Sequence, residues 1–231
     1  MVACGRLPVI GYVLNELRDS GITDLLLISR EGKESLESYV YSCWPGAYVV
    51  HQTEQRGLGD AIRFARSWAG DESFAVALGD TIIHTDSAEP PLARLVRGLP
   101  REDSSVVLVR RVRPELISRY GIVDPARPLC GSETSGELFA LRDIIEKPER
   151  QNAPSDIAIA GRYVFAPALF PALEATPPAH GGEIQLTDAM SRLCSSPGGM
   201  FASLLREGER RFDIGNFDSY YEAFSVLSQS L

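Results

Sequence analysis

The 231 residues carry 31 acidic against 23 basic side chains, a formal charge of −8, and 44% of them are hydrophobic. That length suits a single domain, and the apolar share supplies a sizeable core and excludes wholesale disorder. The acidic balance repels nucleic-acid backbones and anionic membranes, so neither is an expected partner.

No apolar run approaches the roughly 20 residues of a membrane helix. The start does not read as a signal peptide either, and the cytoplasm is the expected compartment. Cys4, Cys43, Cys130 and Cys194 lie far apart, with no Cys-x-x-Cys pair. That spacing excludes a zinc ribbon and argues against a disulfide framework.

Leu7 to Ser20 reads as an amphipathic helix, with Val9, Tyr12, Val13, Glu16 and Leu17 at helical offsets and Gly21 closing it. Asp24 to Ser29 is a short apolar run that suits a strand buried on both faces. Glu31 to Tyr41 reads as a helix, Gly46 to Gln52 as a strand, Leu58 to Trp68 as a helix and Phe74 to Leu78 as a strand. This alternation predicts a parallel sheet with right-handed crossover helices, and ligands collect at the carboxyl ends of such strands.

The second half changes character. Val106 to Val112, Leu138 to Ile145 and Ile157 to Phe165 are rich in strand formers, with turns at Asp124-Pro125 and Gly131-Ser132. Glu183 to Cys194 and Phe217 to Leu227 read as helices. Added strands, rather than another run of alternating units, are expected here.

Several short motifs carry chemistry, each with a plainer alternative. Ala75-Val-Ala-Leu-Gly-Asp80 projects a carboxylate at a strand's carboxyl end, where a hard cation such as Mg²⁺ finds oxygen ligands; equally, Asp80 could cap the next turn. Asp213, in Arg211-Phe-Asp-Ile-Gly-Asn216, fits a second metal ligand or an Asx-turn at a helix entry near Asn216. Gln52 ends a strand ahead of Arg56-Gly-Leu-Gly-Asp60, whose glycines let backbone approach a flat ligand closely, although the full dinucleotide fingerprint is absent.

Glu146 and Lys147, in Ile144-Ile-Glu-Lys-Pro148, could accept sugar hydroxyls and neutralise a sugar phosphate, or form a surface ion pair beside a turn. Gly181 to Asp188 is a helix-capping pattern that leaves Glu183 free to face a site. His51, His84 and His180 lack partners at triad or metal spacing and read as structural or surface residues. No Gly-x-Ser-x-Gly, Walker loop or His-Glu-x-x-His occurs.

The order of these motifs is more specific than any one of them. Tyr12 to Glu16, Gly21 to Asp24, Gln52 with Gly57 to Gly59, Leu78 to Asp80, Tyr120 to Asp124, Ile145 to Pro148, Gly161 to Val164, Glu183 to Asp188 and Asp213 to Asn216 follow one another as in bacterial UTP–glucose-1-phosphate uridylyltransferases. The chain resembles that sugar nucleotidyltransferase family from about Pro8 to Phe224.

The resemblance implies a single domain over 1–231 with a Rossmann-like mixed α/β sheet flanked by helices and a sugar-side β extension. It implies Mg²⁺ on Asp80 and Asp213, uracil read by Gln52 and the backbone of Gly57, and glucose hydroxyls held by Glu146 and Glu183. Lys147 would meet the sugar phosphate, while Gly121 and Gly161 would line the sugar pocket. Lys147, Asp80 and Asp213 are thus the expected catalytic residues, with UTP (or dTTP) and glucose 1-phosphate as substrates. The reaction would be in-line attack of a sugar phosphate oxygen on the α-phosphorus, releasing pyrophosphate.

Two departures qualify this expectation. The family pattern opens with a strand and a Gly-x-Gly-Thr-Arg loop followed by a Pro and Lys run. Read from Met1, this sequence starts where that run ends, with Leu7 where a Lys is expected. The resemblance therefore implies an N-terminally shortened domain without the triphosphate cradle, with an unpaired sheet edge that a second copy covers in a homo-oligomer. A non-catalytic sugar-phosphate or nucleotide-binding protein is one alternative. The short Cys43-Trp-Pro-Gly46 connection fits a second, glucose-1-phosphate thymidylyltransferase.

Overall fold

The computed structural model describes residues 3–127, 129, 136–179, 181–215 and 217–228. The turn expected at Gly131-Ser132, together with Cys130, His180 and Asn216, lies outside them. A two-strand hairpin, β1 (Ala3–Cys4) and β2 (Leu7–Pro8), leads into helix α1 (Val9–Asp19). The first residue of α1 follows Pro8, whose extended backbone makes the helix start two residues later than expected.

Strand β3 (Leu26–Ser29), helix α2 (Glu34–Cys43) and strand β4 (Tyr48–His51) follow. The single helix expected over 58–68 is two, α3 (Gly57–Arg63) and α4 (Arg66–Ala69). Between them Phe64 and Ala65 stay right-handed, and their amides bond three residues back, to Ala61 and Ile62. Strand β5 (Phe74–Ala77) then leads through Gly79-Asp80 into β6 (Thr81–His84) and helix α5 (Pro91–Arg97).

The remaining elements are strands β7 (Ser105–Arg111), β8 (Gly121–Pro125), β9 (Leu138–Glu146) and β10 (Ile157–Phe165), helices α6 (Leu169–Glu174) and α7 (Leu186–Cys194), strands β11 (Met200–Leu204) and β12 (Arg210–Asp213), and helix α8 (Phe217–Leu227). Helix α7 starts three residues after the expected Glu183 because Ile184 is committed elsewhere. Its amide donates to the Arg56 carbonyl at 2.7 Å and its carbonyl accepts from the Gly59 amide at 3.0 Å.

The sheet is mixed rather than parallel. Among the described residues, six strands run in the order β5-β10-β7-β11-β9-β8, and β8 returns to touch β10 at Ala158↔Ile122. Among the described residues, parallel pairing is confined to β11–β7 and the separate pair β3–β4. The parallel pairing expected of the first half holds for β3 and β4 and stops at β5, which takes as its neighbour β10, an antiparallel strand from far downstream.

Packing follows the alternation of the central strands. Val106 and Leu108 of β7 face α1 and α5, joining Val13, Leu17, Leu92 and Leu95. Val107 and Val109 point the other way, onto Leu169, Leu173, Met190 and Leu193 of α6 and α7. A strand covered on both faces in this way reads as an unbroken apolar run.

One charge pair crosses this interior. Arg162 of β10 has no exposed surface and donates through Nε and Nη2 to Glu16 of α1, at 3.0 and 2.8 Å. Its remaining donors meet the carbonyls of Gly161, Leu78 and Thr81. Burial pushes the Glu16 carboxyl above its ordinary range, against the pull of Arg162.

Candidate active site

Asp80 leaves the end of β5 and Asp213 ends β12. The pairing of β12 with β6 sets Asp213 directly across from Thr81, and the Ile214 amide donates to the Asp80 carbonyl at 3.0 Å. Two acids 133 positions apart in the numbering thus share one edge of the fold. The Thr81 hydroxyl donates to Asp80 Oδ1 at 3.3 Å, and Asp213 Oδ2 accepts from Arg211 at 3.2 Å. Among the described residues no third Asp, Glu, His or Cys completes a metal-binding group.

Arg211 is nearly buried, with 6% of its side chain exposed. Its guanidinium and that of Arg110 both lie over the Tyr120 ring, 5.1 and 5.2 Å from its centre. Burial first, and the neighbouring Arg211 charge second, pull Arg110 below the ordinary guanidinium range. Neither arginine stands out in the sequence, where both read as members of ordinary basic pairs.

The sugar-side candidates gather around the β8–β9 pair. Gly121 lies opposite Glu146 in register. Glu146 accepts from the Thr187 hydroxyl at 3.1 Å on one oxygen and meets Lys147 Nζ at 3.3 Å on the other. The plainer ion-pair reading of these two residues is therefore realised, within a larger cluster. Thr187, read from sequence as a capping residue, is a working member of that cluster.

Lys147 is the one non-glycine residue with positive φ, at 43°, among those described. Residues ahead of a proline ordinarily stay extended. The left-handed turn at Lys147 costs on the order of 1–2 kcal/mol and bends its side chain back over Glu146.

The base-side candidates form a third group. Gly57 has φ of 88°, and a Cβ there would sit 3.2 Å from the Glu183 Cβ and 3.0 Å from the Ile184 carbonyl. Gln52 donates to Asp60 at 2.8 Å, so its amide N–H is held by a neighbour that sequence reading left out. Glu183 is exposed and accepts from Gln185 at 3.0 Å.

Contacts join the three groups. The Ile184 backbone links the Gly57–Gly59 turn to α7, and Thr187 links α7 to Glu146 and Gly121. Gly161, at φ of 87° on an irregularity of β10, lets Leu78 and Thr81 pack where a side chain would stand, and its carbonyl accepts from the Leu78 amide. That contact carries β10, which also touches β8, to the Asp80 turn.

Gly121 gives a direct check on this packing. A Cβ there would lie 2.7 Å from Thr187 Cγ2 and 2.9 Å from Ile159 Cδ1. Gly121→Ala is expected to push Thr187 off Glu146 and to raise KM for a sugar phosphate about tenfold, with a smaller change in KM for the nucleotide. Equal shifts in both constants would separate Gly121 from the sugar side.

Residues 1–230 match the family described as Nucleotidyl transferase. The chain belongs to that family. UTP–glucose-1-phosphate uridylyltransferase 1 of Staphylococcus saprophyticus is 36% identical over 232 residues, spanning 90% of this chain and 77% of that protein. A UDP-glucose pyrophosphorylase solved with UDP-glucose superposes with a TM-score of 0.86 at 26% identity, covering 97% of this chain and 88% of its own. A UTP-bound enzyme of the same type from Acinetobacter baumannii gives 0.83 at 28% identity, covering 98% and 84%. The mixed α/β sheet flanked by helices is thus the nucleotidyltransferase fold.

Proposed function

We propose that this nucleotidyltransferase joins UTP and glucose 1-phosphate to give UDP-glucose and pyrophosphate. The observation that carries the reading is the set of contacts from the Gln52–Gly57 turn, through Ile184, Thr187, Glu146 and Gly121, and by way of β10 at Gly161 to the turn of Asp80 and its neighbour Asp213. Base-side, sugar-side and carboxylate groups joined in this way suit a ligand that carries a base, a sugar and a diphosphate.

Asp80 and Asp213 suit a hard divalent cation, Mg²⁺ above others, because the protein offers two carboxylates and leaves the remaining positions to phosphate and water oxygens. Bound there, the cation would neutralise charge on the transferring phosphate. The protein's own part is positioning. Glu146 and Glu183 accept sugar hydroxyls, Lys147 meets the sugar phosphate, Gln52 and Gly57 hold the base, and Gly161 keeps the Asp80 turn close to the sugar wall. With little covalent work in such a transfer, alignment and charge account for most of the rate.

The test is pyrophosphate release from UTP and glucose 1-phosphate with Mg²⁺, run beside dTTP. UDP-glucose formation that needs both substrates and stops on chelation is the expected result. A strong dTTP preference would reassign the base. Binding of glucose 1-phosphate without turnover would make the protein a non-catalytic sugar-phosphate binder.

A further inference from the structure

Arg110 and Arg211 carry more positive charge than the protein around them balances. Their guanidiniums share the Tyr120 ring, and the like charge of Arg211 bears directly on Arg110. The one carboxylate that bonds either of them among the described residues is Asp213, which accepts from Arg211 and leaves Arg110 without an ion pair. Arg111 shows the ordinary state of such a group, paired with Asp156 at 2.8 Å on the surface. Each member of the pair also keeps a buried N–H without an acceptor, Nε of Arg110 and Nη1 of Arg211. Buried donors are ordinarily satisfied, and two guanidiniums this close repel unless an anion joins them.

The surroundings of the pair indicate where that anion comes from. Tyr120 precedes Gly121, and its carbonyl accepts from the Lys147 amide at 3.1 Å. Arg211 Nε donates to the Ala160 carbonyl at 3.2 Å, one residue from Gly161. Arg110 lies opposite Ala158 of the same strand, and Ala158 opposite Ile122 of β8. The two arginines thus stand beside the residues proposed for the sugar. Asp213 is also the proposed cation ligand, and with its charge committed there the arginines keep no counter-charge of their own. The phosphates have that cation and Lys147. What remains is an acid carried by the sugar.

We propose that the preferred sugar substrate is a hexuronic acid 1-phosphate, its carboxylate held by Arg110 while Arg211 adds its charge. This rests on the nucleotidyl-transfer reading given above. Arg110 is half-buried and open to a ligand, whereas Arg211 is nearly buried. A carboxylate in place of the glucose CH₂OH leaves the ring hydroxyls for Glu146 and Glu183, and its two oxygens match the planar fork of a guanidinium. The transfer is otherwise unchanged. A phosphate oxygen of the sugar bonds the α-phosphorus of UTP, the bond from that phosphorus to its bridging oxygen breaks, and pyrophosphate leaves. The carboxylate neither gives nor takes a proton.

The test compares glucuronic acid 1-phosphate with glucose 1-phosphate, each with UTP and Mg²⁺, beside calorimetric binding of each sugar phosphate alone. Charge-assisted hydrogen bonds should favour the acid by roughly 10–100-fold in kcat/KM and in Kd. Arg110→Met should remove most of that preference, chiefly through KM for the acid. Arg110→Lys should keep part of it, retaining the charge without the fork. No preference for the acid in the unaltered protein would overturn the proposal while leaving nucleotidyl transfer in place. So would a loss on Arg110→Met that falls equally on both sugars, since the pair would then serve a phosphate. If neither sugar turns over, nucleotidyl transfer fails and the two Kd values of the unaltered protein alone decide the preference.

Discussion

Asp80→Asn and Asp213→Asn, made separately, are each expected to lower nucleotidyl transfer by about a hundredfold or more. Losing even an outer partner of a metal site typically costs roughly 10–100-fold, and here each variant removes half of the protein's carboxylates at the proposed cation position. The two should differ in stability. Asp80 is exposed, so its replacement should leave the melting temperature unchanged. Asp213 neutralises Arg211, whose Nη1 is already buried without a partner, and its loss should cost about 1–3 kcal/mol. The check is the rate as a function of Mg²⁺ concentration beside thermal unfolding. If Asp80→Asn kept half the parental rate across the whole cation range, Asp80 would not be a metal ligand.

Arg162→Met should be the most destabilising of these single changes, by about 3–5 kcal/mol, because it leaves Glu16 buried without its counter-charge. For a chain of this length that is roughly 6–20 °C in Tm. The sign of the pH dependence follows from Glu16. Burial already raises its carboxyl, and without Arg162 only a backbone hydrogen bond at Leu92 opposes that rise. The folded variant then holds a proton that the unfolded chain releases, so its stability falls as pH rises above the ordinary carboxylate range and recovers on acidification. The double change Glu16→Met with Arg162→Met should recover most of the loss. Unfolding midpoints from pH 5 to 8 decide the matter: equal deficits in single and double variants would mean that packing, not charge, sets the cost.

The effect reaches the site, since Arg162 donates to the carbonyls of Leu78 and Thr81 on either side of Asp80. At temperatures where the single variant is still folded, it should need more Mg²⁺ for half-maximal rate.

Local pattern revealed much of this architecture. The periodicity of 7–20 and the apolar runs at 74–78, 106–112 and 157–165 became α1, β5, β7 and β10 with small shifts at their ends. Strands β6, β11 and β12 and helix α5 escaped notice because short elements carry too few periods to stand out. Sheet order was beyond reach, since the β5–β10 pairing depends on residues more than 80 apart.

The same division holds for the site. The position of Asp80 beyond the end of β5 was legible because an apolar strand ending in Gly-Asp announces its own geometry. That Asp213 lies near Asp80 could not be read until the β6–β12 register set it across from Thr81. Thr187 looked like a cap, and the backbone of Ile184 has no side-chain signature at all, yet these two join the Gly57–Gly59 segment to Glu146. The stacking of Arg110 and Arg211 on Tyr120 was invisible because it joins residues distant in the chain.

The backbone twist at Lys147 bears on how a ligand would be read. Its ammonium is already spoken for by Glu146, the residue proposed to accept sugar hydroxyls. A sugar alone would have to compete with the ammonium for that carboxylate, and a phosphate alone would have to draw the ammonium away from it. A molecule carrying both groups exchanges the internal pair for two external ones in a single event. The free energy of the whole then exceeds the sum of its halves, so the site distinguishes a sugar phosphate from a mixture of sugar and phosphate without any further contact.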